Sequence, residues 1–465
     1  MEVFGIIVSL FLLMFFAYRG FSVILFAPVF ALLAASLSGL ALMPAYTELF
    51  MAKGVTYIKT YFPVFLLGAV FGKVMEDTGL AKGIARAIIQ GLGKERAILS
   101  VVLAGAVLTY GGVSLFVVVF AVYPFAAALF READIPKRLI PGSIALGAFT
   151  FTMDSFPGTP QIQNIIPTNF FGTTLYAAPI SGLLGGLAIL TLGITWLEYR
   201  RKAAAAKNEG YGSHTLNEQT DQTSTDLPPW FVGVLPLLTV LVVNFVATQY
   251  IKWDPNLLAP FQGMKLPLVA ASVKSVLSIW SLIIALVCGI LLAVVLGMSR
   301  LPQGGLAKAL NAGAIGSLLA IMNTASEVGY GNVIASLPGF KAISAALMGI
   351  KIGGSPLVSE AVTVNVLAGI TGSASGGMSI ALDLMSKDWL AWANQIGMSP
   401  EILHRVASMA SGGMDTLPHN GAVITLLAVC GLTHRDSYGD IFAMTVLKTS
   451  MVFLVILFHS ITGLL

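Results

Sequence analysis

The chain has 465 residues, of which 56% are hydrophobic and only 10% charged. A soluble protein carries roughly 25% charged residues, so the composition excludes a water-exposed globular domain and points to a multi-pass membrane protein. The net charge of +4 is small, and no basic face interleaved with aromatics is present, which excludes a nucleic-acid partner.

A spanning helix needs about 20 mostly apolar residues. Residues 3–17 and 21–43 are the first two expected spans, with no basic n-region or cleavage site before them, so the first is expected to stay as a membrane helix. A third covers 61–74 and ends at Glu76-Asp77-Thr78-Gly79. The semi-amphipathic stretch 80–92 then reads as a helix lying at the interface. Residues 97–130 are too long for one span and too short for two. Gly111-Gly112 sit at their middle, where either an unwound break or a packing kink fits.

After the charged connector 131–138, residues 139–153 lead into Met153-Asp154-Ser155-Phe156-Pro157-Gly158-Thr159-Pro160. The stretch 154–168 has too many prolines and amides for a lipid-facing helix and is too apolar for an exposed loop. A re-entrant hairpin buried in protein satisfies both. Residues 172–197 return to Arg200, Arg201, Lys202 and Lys207, a basic exit that favours the cytoplasm. Residues 201–229 are polar and read as a flexible cytoplasmic linker, with His214 solvated. They separate a first unit, 1–200, from a second, 230–465.

The second unit opens with apolar stretches at 231–250 and 275–297. Residues 306–322 lead to Glu327, which can be laid over Asp77. Glu360 lies in a Gly/Ser-rich stretch, and 371–377 supplies a small-residue break like that at 109–112. His404-Arg405 and His434-Arg435 read as solvent-facing ends of spans. Then comes Met414-Asp415-Thr416-Leu417-Pro418-His419-Asn420-Gly421, near-copy of the first motif, with a second hairpin expected at 415–428. Both units run in the same order: acid-Gly break, small-residue break, Met-Asp-Ser/Thr-x-Pro. Paired interrupted segments of this kind are the best sequence pointer to a transporter's binding site. Cys288 and Cys430 lie in apolar segments and read as core residues, with no metal pair.

A carboxylate at membrane depth is disfavoured by roughly 2.5–3.5 kcal/mol on insertion scales, so such residues mark function. Asp154 and Asp415 are therefore the candidates for the coupling cation, since a desolvated carboxylate can carry a proton near neutral pH. His419 could share that proton, and Glu327 is a further candidate. Ser155, Thr159, Gln161, Gln163, Asn164, Thr416 and Asn420, with backbone bared at Gly111 and Gly112, would hold an anion together with helix N-termini. The competing reading makes both Asp residues N-caps, and pairs Glu76 and Asp77 with Lys73 or Lys82. No Gly-x-Ser-x-Gly elbow, P-loop or His-Glu-x-x-His is present, so no enzyme and no cofactor beyond the coupling ion are expected. An intramembrane hydrolase with Asp154 and Asp415 as an aspartyl pair is the alternative from a different class.

The run from Ser411-Gly412-Gly413 through Gly421, then Gly431-Leu432-Thr433-His434-Arg435, resembles the gluconate permease (GntP) family, with the 3-hydroxybutyrate permease branch nearest. Leu67-Gly68-Ala69-Val70-Phe71-Gly72-Lys73 is similar to that family's early motif. The resemblance implies a bacterial inner-membrane symporter driven by protons and carrying small monocarboxylates or sugar acids. It also implies two repeats of inverted topology, each with a re-entrant hairpin and broken helices, and a homodimeric scaffold. The expected fold is thus all-α, with about 11–14 membrane helices. The expected activity is proton-coupled uptake of a short hydroxycarboxylate; a sodium-coupled di- or tricarboxylate carrier is the alternative within the class.

Overall fold

The computed structural model describes residues 2–19, 21–113, 115–214, 217, 227–301, 305–350, 352–418 and 420–465. Among these every regular element is a helix, and there is no strand. Among the described residues six helices are long and apolar enough to cross a membrane: Leu42–Asp77, Pro179–Ala205, Trp230–Gln249, Leu277–Arg300, Gly305–Ser336 and His434–Thr462. Shorter apolar helices such as Val23–Leu37 and Gly421–Cys430 lie between them. Large apolar side chains that no protein covers, among them Leu187, Leu291, Val295 and Ile461, suit a lipid surround.

Several expected boundaries move. The second span is Val23–Leu37, because Gly39 turns the chain at a φ of +79°. The third is longer than 61–74: it starts at Leu42, passes through a π-helical stretch, Ala45–Met51, and continues to Asp77. Tyr57, Lys53 and other polar residues hid its first half from a hydropathy reading. The 97–130 region is two helices, Ala97–Tyr110 and Leu115–Glu132. The break has Gly112 at a φ of +95°, a conformation that glycine adopts without steric strain. A matching break separates Leu357–Thr371 from Ala374–Gln395, with Gly372 at +68°. Leu80–Leu92 does have a wet face, but Leu80, Ile84 and Ile89 pack into the main core.

Leu42–Asp77 and Gly305–Ser336 pack along one another over most of their length. Small residues permit the approach: Gly54 lies against the Ala325 carbonyl, and Gly313 against Val70. Close backbone contact of this type is the usual basis of helix association in lipid. The hairpin of Glu2–Tyr18 and Val23–Leu37 leans on the end of this pair and forms a second core with Phe50, Tyr330 and Val333.

Each Met-Asp motif is the loop of a helix–loop–helix. The first runs from Leu139–Ala148, through the short turn Phe151–Asp154, to Ile162–Phe171. The second runs from Pro400–Gly413 to Gly421–Cys430. Their outgoing helices are exchanged between the two parts of the chain. Ile162–Phe171 packs on Pro400–Gly413 and Ala374–Gln395, whereas Gly421–Cys430 packs on Leu115–Glu132 and Leu139–Ala148. Pro179–Ala205 and His434–Thr462 close the arrangement by packing against each other.

Around the polar stretch after Ala205, the described residues are anchored. Tyr211 is buried, Asn217 donates to the Ala428 carbonyl at 2.8 Å, and Pro228 lies against Gly83. His214 is half-buried on Tyr211 and bonds to its carbonyl at 3.0 Å, so it is not simply solvated.

Candidate functional site

The loop of the first motif carries Asp154 inward because Gln161 and Asn164 tie it down. Gln161 donates to the Thr109 carbonyl at 2.7 Å, across the break in the neighbouring helix. Asn164 donates to the carbonyls of Thr159 and Leu175, at 3.0 and 2.9 Å. In the second motif Asn420 does what Gln161 does in the first. Its amide donates to the Gly372 carbonyl at 2.7 Å, again at a helix break. Its side-chain oxygen also accepts from the Ala422 and Val423 N–H groups, capping Gly421–Cys430. Asn420, not Asp415, is therefore the N-cap, and Asp154 closes the turn Phe151–Asp154 without capping the helix that follows. The capping account of the two acids is overturned.

Both acids instead reach one lysine. Lys448, on His434–Thr462, donates to Asp415 Oδ1 at 2.7 Å and to the Phe149 carbonyl at 2.7 Å. Its Nζ stands 3.7 Å from Asp154 Oδ2. All three side chains are buried, with Lys448 only 1% exposed. Asp154 Oδ1 accepts from the Ser155 hydroxyl at 2.6 Å, while Oδ2 has no hydrogen-bond partner among the described residues. Gly412 makes this approach possible, because a methyl group there would collide with the Asp154 carboxylate and crowd Lys448.

Arg405 and His404 form a second buried polar layer. Arg405 donates to the Ala177 carbonyl, the Asp154 carbonyl and Asn164 Oδ1, at 2.7, 3.2 and 3.1 Å. His404 bonds Asn164 Oδ1 and the Thr173 hydroxyl. The reading of this pair as a solvent-facing helix end is corrected: both are fully buried, pinning the first loop to Pro400–Gly413. Sequence reasoning also passed over Lys448, although a lone lysine in an apolar span is itself a functional signal.

Beside the ion pair lies a cavity of about 610 Å³, within the roughly 300–1,000 Å³ usual for ligand sites. Its wall includes Gly112, Gln161, Gln163, Glu327, Asp415 and Asn420. The first residues of four helices open onto it: Leu115, Ile162, Ala374 and Gly421. Helix N-termini carry a partial positive charge that favours anions; at Gly421 Asn420 already accepts two of the N–H groups, and at Ala374 Ser373 accepts one. Glu327 lies against Gly376 in the first turn of one of them, and its Oε2, like Gln163 Oε1, is buried with no hydrogen-bond partner among the described residues.

Ser155, Thr159, Asn164, Thr416 and Gly111 are not among the residues that line it. Ser155, Thr159, Asn164 and Thr416 are fully buried. Thr159 donates to the Thr152 carbonyl, and Thr416 bonds Thr445. Gly111 packs on Leu237. His419 lies outside the described residues. Glu76 and Asp77 pair with Lys73, at 3.3 and 2.8 Å. Glu360 is fully buried, and among the described residues neither carboxylate oxygen has a hydrogen-bond partner. Among the described residues no His/Cys/Asp/Glu cluster could hold a metal ion.

Residues 1–413 match the model of the GntP family permeases. The chain belongs to the GntP permease family. It is 54% identical to the uncharacterized transporter YxjC of Bacillus subtilis, over the full length of both proteins. Among solved structures the permease is similar to MtrF of Neisseria gonorrhoeae, described as illuminating a class of antimetabolite efflux pumps. That match has a TM-score of 0.54, 13% identity, and covers 93% of this chain and 92% of MtrF. The YdaH transporter of Alcanivorax borkumensis gives a TM-score of 0.51 at 16% identity, covering 88% and 87%. These two likenesses concern the fold. The permease is thus a multi-pass protein of the bacterial inner membrane and a transporter, not an enzyme.

Proposed function

We propose that this permease takes up a short hydroxycarboxylate, of the 3-hydroxybutyrate or gluconate kind, together with protons. The observation that best supports the reading is the meeting of Asp154 and Asp415 on one buried lysine, beside a cavity ringed by helix N-termini. The helix ends favour an anion, and the carboxylates offer a place for the proton. Gln161, Gln163 and Asn420 supply polar groups at the wall, suited to the substrate's hydroxyl and carboxylate.

In the same reading, 1–200 and 230–465 are inverted repeats, each with a re-entrant hairpin, 201–229 is a cytoplasmic linker, and the permease works as a homodimer. The exchanged hairpin helices and the parallel roles of Gln161 and Asn420 support the duplication.

Reconstitution into proteoliposomes tests the function. With an inward proton gradient and no sodium, 3-hydroxybutyrate or gluconate should accumulate, and a protonophore should abolish the gain. Accumulation that requires sodium would replace this reading with the sodium-coupled carrier.

A further inference from the structure

We propose that Asp415 is an exchangeable counter-ion: on taking up a proton it releases Lys448, whose ammonium then binds the substrate's carboxylate. The idea rests on the transport reading above and adds to it the atom that recognises the anion and the event that exposes it.

The two acids are not equivalent. Asp154 is fixed by the Ser155 hydroxyl, while Arg405 and Ser408 donate to its backbone carbonyl. Asp415 has Lys448 as its single hydrogen-bonded side-chain partner among the described residues. Only Asp415 of the three lines the cavity; Lys448 sits behind it. Anything entering the cavity meets that carboxylate before it can reach the ammonium.

Charge counting gives the order of events. Two ionised carboxylates against one ammonium leave a net negative charge, which repels an arriving anion. Glu327 on Gly305–Ser336 also lines the cavity, and among the described residues no Lys or Arg does. One proton on an Asp415 oxygen removes one negative charge. An ammonium has three N–H donors. Two of them then have the Phe149 carbonyl and Asp154 Oδ2, and the third is open to a carboxylate from the cavity. One proton and one monoanion thus enter together, and no net charge is added.

The other charged groups near the pair do not substitute for this exchange. Arg405 is spent on backbone carbonyls and Asn164, and neighbouring His404 is on Asn164 and Thr173. Leu139–Ala148 brings no titratable side chain. Glu198, Arg200 and Arg201 of Pro179–Ala205 pair with one another or with Asp440. Glu360, on Leu357–Thr371, has no hydrogen-bond partner among the described residues, and His459 bonds the Leu464 carbonyl.

The test is calorimetric titration of the purified permease with 3-hydroxybutyrate and with gluconate, at pH 5.5 and pH 8. The wild type should bind at least tenfold more tightly at pH 5.5, and should take up about one proton per anion bound near pH 8. Asp415→Asn should bind at both pH values within about threefold and take up no proton. Lys448→Gln in the Asp415→Asn background should lose binding at both. A wild type that binds without proton uptake, or an Asp415→Asn variant with the full pH slope, overturns the exchange while leaving carboxylate transport standing. Retained binding after loss of Lys448 does the same. The proton-uptake measurement needs no variant and decides even if a substituted protein fails to fold. Should the wild type bind neither probe nor any other small carboxylate, both readings fall.

Discussion

At the scale of single residues, the cations carry the unexpected information. Lys448 lies within His434–Thr462, whose apolar length marks it as a span. The acids at 154 and 415 stood out because proline and glycine surround them; the lysine has no such punctuation and drew no notice. Arg405 was misread because His404-Arg405 looks like a helix end, and only the folded chain shows the carbonyls it serves. Removing one partner of a buried pair destabilises by about 3–5 kcal/mol. Lys448→Met is therefore expected to lower the melting temperature sharply, and adding Asp154→Asn and Asp415→Asn should recover most of the loss. A single substitution that melts like the wild type would show that the ammonium does not hold the two acids. Arg405→Met leaves Asn164 Oδ1 and two backbone carbonyls with fewer donors, at about 1–3 kcal/mol for each acceptor left unsatisfied. Its expected result is a permease that inserts but melts early, read by size-exclusion chromatography after mild heating.

Among the elements, broken helices and hairpin loops are tied together by two amides, Gln161 at the first break and Asn420 at the second. This level was legible in part. The breaks at 111–112 and 372, and both helix–loop–helices, follow from glycine, proline and amide residues placed where an unbroken helix would need apolar ones. The start of the Leu42–Asp77 helix did not, since polar residues, among them buried Tyr57 and exposed Thr47, Glu48 and Lys59, dilute its hydropathy. Nor could the exchange of hairpin helices, which depends on contacts remote in sequence. Asn420 allows a clean separation of roles. Asn420→Asp keeps the helix cap but loses the donor to Gly372, whereas Asn420→Ala loses both. The alanine variant should be less stable by about 0.5–2 kcal/mol from the cap alone, in thermal melts where the aspartate variant is nearer the wild type. Equal melting of the two would mean that the cap contributes little. Gly112→Ala places a side chain at a φ of +95°, with Pro160 at 3.3 Å. Strain of this kind is worth about 1–3 kcal/mol, so reduced yield of folded protein in detergent is expected.

For the molecule as a whole, the exchanged packing makes neither part of the chain complete. Ile162–Phe171 has its main neighbours after residue 370, and Gly421–Cys430 has its main helix neighbours before residue 150. Fragments 1–214 and 227–465, expressed together, are expected to co-purify through a tag on either one, while each alone is degraded. A fragment that is stable and monodisperse by itself would contradict that dependence. The charged end of the bundle adds a second tie. Asp440 accepts from Arg138, Arg200 and Trp196, and Arg138 also grips Glu209 at 2.6 and 2.9 Å. That guanidinium keeps the Glu209 carboxyl below its ordinary range. Fold class and the paired motifs could be read from composition and order; this three-dimensional interlock could not, because no local pattern encodes it. One lysine answering to two acids has a bearing on how such a chain can drift over generations. Loss of the lysine strands both acids, so position 448 can change only together with 154 and 415, and the two parts of the gene are bound to a shared inheritance.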